Sequence, residues 1–67
     1  MTQPLYPDVS VQLTDTDGNA FVIIGTVVRS LRRAGVDAEE RDRFTKEATA
    51  GDYDHLLQTC MKWVSVS

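Results

Sequence analysis

Three arginines, Arg29, Arg32 and Arg33, crowd into one short segment of a chain that is acidic overall, with ten carboxylates against seven basic side chains and a net charge of −3. Guanidinium forks match the oxygens of phosphate and carboxylate groups, so the cluster is a candidate anion site. A second role needs no ligand: cations near a helix C-terminus complement its dipole. Tyr53 and Trp63 offer flat apolar faces with a polar handle, fit for an interface or for stacking on a base. With Asn19 they complete a candidate ligand set of Asn19, Arg29, Arg32, Arg33, Tyr53 and Trp63, directed at a small anionic, nucleotide-like molecule.

Other chemistry-bearing residues lead nowhere specific. Asp15-Thr16-Asp17-Gly18-Asn19-Ala20 imitates the start of a calcium loop, but Ala20 stands where the sharp-turn glycine belongs and Thr26 where a bidentate glutamate belongs. An ordinary turn accounts for it. Cys60 is the lone cysteine and His55 the lone histidine, too few for a structural zinc. At five residues apart on a helix the two diverge by about 140°, so a dyad is not expected. A buried small hydrophobe describes Cys60 better, and His55, three residues after Asp52, is expected to interact near a helix cap. With no glycine-rich phosphate loop and no nucleophile elbow in the sequence, no catalytic residue and no cofactor are expected.

The elements that must position these residues follow from periodicity. Residues 1–7 carry two prolines and read as an extended lead-in, with Tyr6 available to pin it. Val9, Val11 and Leu13 alternate with polar residues, predicting a strand over 8–14. From an Asn19 cap, the apolar positions Ala20, Ile24, Val27, Leu31 and Ala34 form a helical stripe widened by Phe21, Ile23 and Val28. The β-branched run at 21–28 has a competing strand propensity. Helix is preferred because the spacing persists to Gly35, a C-cap candidate.

Asp37-Ala38-Glu39-Glu40 is a capping-box pattern for a second helix, with Phe44 and Ala48 facing inward. Pairs Glu39–Arg43, Asp42–Lys46 and Arg43–Glu47 at i,i+4 spacing predict a solvated face. Gly51 reads as the next C-cap and Asp52 as the cap of a third helix, Tyr53 to Met61, with Tyr53, Leu56, Leu57 and Cys60 inward. Trp63-Val64-Ser65-Val66 alternates again and predicts a closing strand. The outcome is an α+β class fold, a small β-α-α-α-β domain over residues 8–67 with its terminal strands paired antiparallel.

At 67 residues such a domain buries only about 60% of its unfolded surface. Small domains compensate with disulfides, metals or partners, and the first two are not provided for. A homo-oligomer, most simply a dimer whose subunits complete one sheet, would also hide the strand edges. The opening residues have neither a basic region nor an apolar run, so no signal peptide is expected. The longest apolar stretch falls far short of the ~20 residues needed to span a bilayer. Cytoplasmic localisation is therefore expected, and no membrane partner.

The stretches VSVQLTDTDGNAFVIIGTVVRSLRRAGV and EATAGDYDHLLQTCMKWVSVS, with motifs Gly18-Asn19-Ala20-Phe21, Leu31-Arg32-Arg33-Ala34-Gly35 and Gly51-Asp52-Tyr53-Asp54, resemble a group of short uncharacterised phage, prophage and actinobacterial proteins. The resemblance implies a non-enzymatic protein acting by stoichiometric binding. One form is a counter-defence protein (immune evasion) that sequesters a host signalling nucleotide; the other is an interaction module that inhibits or adapts a host or phage protein. A helix-turn-helix-like reading around Gly35, with Arg41 and Arg43 near phosphates, is opposed by net acidity and by Glu39, Glu40 and Glu47. Nucleic acid is not an expected partner.

Overall fold

A computed structural model describes residues 3–12 and 19–66, so Leu13, Thr14 and the Asp15–Gly18 part of the calcium-loop lookalike lie outside the described residues. The order is β1 (Tyr6–Val11), α1 (Ala20–Arg33), α2 (Ala38–Ala48), α3 (Tyr53–Trp63) and β2 (Val64–Val66). The α+β class and the β-α-α-α-β order agree with the sequence reading.

The strand pairing does not. β1 and β2 form a two-stranded parallel sheet, where an antiparallel one was expected. Three helices between two strands form a crossover connection, and parallel neighbours need a crossover of a dozen or more residues. Tyr6 pairs with Val64, Ser10 with Ser65 and Val11 with Val66, so residues 7–9 bulge out of the ladder. Pro7 causes part of this, because it has no N–H to donate. Its carbonyl instead accepts the Ser65 hydroxyl at 2.8 Å. The expected strand at 8–14 thus begins earlier, at Tyr6. Part of the lead-in is tied down as well: the Leu5 N–H donates to the Lys62 carbonyl at 2.9 Å.

Each helix starts on the Asx residue expected to cap it. Asn19 accepts from the Phe21 N–H, Asp37 from Glu40 and Asp52 from His55, each at 2.9 Å. α1 ends at Gly35, whose φ of +88° is strained for any side-chain-bearing residue. Gly35 N–H donates to the Arg32 carbonyl and Val36 N–H to Leu31, the paired bonds of a Schellman motif. Gly51 is not the αL cap expected, since Gly35 alone among the described glycines has positive φ. Close packing explains it: a Cβ there would come within 2.8 Å of the His55 side chain.

The core unites Val9 and Val11 of β1, Ile23, Val27 and Leu31 of α1, Phe44 and Ala48 of α2, Leu56, Cys60 and Trp63 of α3, and Val64 of β2. α1 is rotated relative to the expected stripe. Ile23, Val27 and Leu31 are buried and Ile24 is only half-buried, while Phe21 is 85% exposed and Ala34 faces outward. α3 runs two residues beyond its expected end, so Trp63 closes the helix and does not open the strand. Its position three residues after Cys60 continues the buried face, and that period overrides the short alternation of Trp63 to Val66. Tyr53, expected inward, is 42% exposed because it occupies the first helical position, ahead of the core layer.

Candidate functional site

The six predicted ligand residues do not surround one cavity of the chain. Asn19 caps the start of α1, and Tyr53 lines a small apolar cleft with Ala20, Phe21, Ile24 and Leu56 at the same end of the molecule. Arg32 and Arg33 lie in the last turn of α1, about 20 Å along the helix axis from its first residue. Arg29, Arg32 and Arg33 are all exposed. Arg33 borders a shallow cleft with Asp8, Ser10 and Ser30. Trp63 belongs to a third place altogether.

That third place is a groove of about 500 Å³ between the lead-in and the outer face of α3, lined by Gln3, Leu5, Arg43, Glu47, Gln58, Met61, Lys62 and Trp63. It falls within the usual size range of small-molecule sites. Trp63, 2% exposed, is fixed at its base by three contacts. Tyr6 stacks on it with centroids 5.9 Å apart, Phe44 meets it edge-on at 5.6 Å, and its indole N–H donates to Glu47 Oε2 at 3.1 Å.

Glu47 is the hinge of the electrostatics. Besides the indole bond, Oε1 pairs with Lys62 Nζ at 3.4 Å. Its backbone carbonyl, which already accepts the Ala50 N–H at 3.2 Å in the last turn of α2, also meets His55 Nε2 at 2.9 Å. The Trp63 hydrogen bond, aided by Lys62, holds the carboxyl below its ordinary value of 4.5 despite partial burial. A second carboxylate, Glu40, accepts from Arg43 Nη1 at 2.9 Å and from the Tyr6 hydroxyl at 3.2 Å. Burial, together with the nearby Glu40 charge, raises the Tyr6 phenol above 10.0. Of the surface pairs expected on α2, Asp42–Lys46 is present at 3.2 Å. Arg43 turns to Glu40, and Glu47 turns to α3.

Two cations, Arg43 paired with Glu40 and Lys62 paired with Glu47, the Glu47 carboxylate itself and two carboxamides, Gln3 and Gln58, line the groove together with the apolar Leu5, Met61 and Trp63. Arg43, Lys62 and Gln3 carry N–H donors of the kind that suit an anion or a heterocycle edge, while Gln58 Nε2 donates to Asp54 Oδ2 at 3.1 Å. Of the groove's residues, Trp63 was singled out in the sequence, whereas Arg43 and Lys62 were not grouped with it. The available signal was Gln58, Met61 and Lys62 at i, i+3 and i+4 on the outward side of the Trp63 helix. Cys60 is sealed in the core, and burial pushes its thiol up to about 11, the opposite of an activated nucleophile. Among the described residues no cluster of metal-ligating side chains occurs, and no helix is long and apolar enough to cross a membrane.

No protein-family model, characterised protein or solved structure matches the chain.

Proposed function

We propose that this is a non-enzymatic, homo-oligomeric binding protein that captures a small anionic, nucleotide-like ligand in the groove beside Trp63. The observation that supports this reading is the combination, in one groove of ligand size, of Arg43, Lys62, Gln3 and Gln58 beside Leu5, Met61 and Trp63, with one carboxylate, Glu47, already engaged by Lys62 and the Trp63 indole. The resemblance to short phage proteins contributes the ligand class, a signalling nucleotide, and nothing about the residues. Arg29, Arg32 and Arg33 stand apart from this groove and are not required for capture.

Native mass spectrometry of untagged protein, followed by calorimetric titration with a panel of mono-, di- and cyclic nucleotides, tests the proposal. The expected result is stoichiometric capture that weakens about tenfold or more in Arg43→Ala and Lys62→Ala, each charge-assisted contact being worth roughly 1.5 to 3 kcal/mol. Capture should persist in the Arg32→Ala/Arg33→Ala double variant. Loss in the double variant alone would return the site to the α1 arginines, and no heat with any member of the panel would remove the ligand reading.

A second reading is favoured by a different observation. Leu5, Phe21, Val22, Tyr53 and Met61 all expose apolar surface, as expected of a module that inhibits or adapts another protein. It predicts a stoichiometric complex formed by ligand-free protein and lost on Met61→Lys or Phe21→Lys.

A further inference from the structure

α1 carries two features that the single chain does not explain, and a cluster of cations whose placement suits its dipole. Phe21 is 85% exposed and Val22 is 47% exposed, on a helix whose core face is already complete with Ile23, Val27 and Leu31. Gly25 sits in the helix interior, where glycine is unfavourable relative to alanine. A Cβ there would meet nothing within 4 Å and its φ is not positive, so neither packing nor backbone geometry within the chain calls for glycine. Finally, charge is split along the exposed face, with Arg29, Arg32 and Arg33 towards the C-terminal end and no acidic residue in the first turn. A carboxylate of another element stands by Phe21: Asp52 lines the same cleft as Phe21 and Tyr53.

One residue of each feature shares a strip with Val28. At 100° per residue, Phe21, Gly25, Val28 and Arg32 fall within about 60° of one another, at spacings of four, three and four. That is the seam spacing of paired helices. The strip is also self-complementary under reversal, since a two-fold axis between Gly25 and Val28 sets Phe21 opposite Arg32 and Gly25 opposite Val28.

The geometry points to a homodimer in which α1 packs antiparallel on α1 of a second copy about that axis. The half-buried Val28 of one copy enters the gap left by Gly25 of the other, and the backbones approach closely because no Cβ intervenes. Each Arg32 guanidinium lies over the partner's Phe21 ring and beside the partner's Asp52 carboxylate, combining a cation–π contact with an ion pair. Antiparallel docking also sets each helix C-terminus near the other's N-terminus, which suits both dipoles. A two-fold contact of this kind buries the same patch on both subunits and closes at two. The inference rests on the homo-oligomeric part of the proposed function and not on its ligand, because the Trp63 groove shares none of these residues.

Sedimentation equilibrium over a wide concentration range tests it, with circular dichroism confirming that each variant is folded. The expected result is a concentration-dependent dimer whose dissociation constant rises about tenfold or more in Gly25→Leu and in Phe21→Lys, and is unmoved in Met61→Lys, which alters the other apolar patch. Phe21→Lys keeps the test decisive if Gly25→Leu folds poorly, since the Phe21 side chain lies outside the core. A monomer at every concentration overturns the proposal. So does a dimer indifferent to both α1 variants, which would place the contact elsewhere, for example at the strand edges. Failure of ligand titration leaves this result untouched, so the two proposals fail separately.

Discussion

Glu47 decides more of the local electrostatics than any arginine does. Its carboxylate accepts from the Trp63 indole and pairs with Lys62, and its pKa is held below 4.5 for that reason. A carboxyl with a depressed folded-state pKa lends stability that is present above its unfolded value and lost as pH falls through the folded one. Thermal denaturation followed from pH 7 to pH 2 should therefore show stability dropping below about 4.5, and Glu47→Gln should flatten that part of the curve. Trp63→Phe removes the indole donor and should cost about 1 to 3 kcal/mol in urea denaturation. Trp63 stood out in the sequence by its residue type. Its indole partner did not, because Glu47 lies sixteen residues away on another helix and only the packed fold brings the two together.

At the scale of the element, boundaries were more legible than faces. Asn19, Asp37 and Asp52 announce three helix starts because the cap is a local interaction, set within three residues. Which side of α1 turns inward, and whether Trp63 ends a helix or opens a strand, depend on neighbours distant in sequence. The glycines show how far local conformation decides cost. Gly35→Ala forces a side chain into positive φ and should destabilise by about 1 kcal/mol, lowering Tm by roughly 4 to 8 °C. Gly25→Ala has space for its methyl and should raise the Tm of dilute protein by a similar margin through helix propensity. Gly51→Ala should behave like neither. Its Cβ collides with His55, so the imidazole should move off the Glu47 carbonyl, a change readable in the His55 ring resonances.

For the whole molecule, a small core concentrates the stability in few side chains. Phe44 is fully buried against Trp63, and Phe44→Ala should remove about 3 to 5 kcal/mol from a total that for this length is about 3 to 10 kcal/mol. Urea denaturation should show the midpoint falling steeply, since the loss is at least about a third of the total. The direction of strand pairing was the least legible property of the fold, since alternation marks a strand without saying which way its partner runs. Among the described residues the two parallel strands have no further strand partner on either side. Sheet extension across subunits and α1 pairing thus remain distinct assemblies, separated by the variants above. Cys60 adds a use of a different kind. Its sulfur is sealed beneath α3 with the thiol at about 11, so a thiol-modifying reagent reaches it only when the helices part. The rate at which native protein takes up a single label then counts spontaneous openings. Saturation of that rate at high reagent would give the opening rate constant itself, measured on the unaltered chain without denaturant.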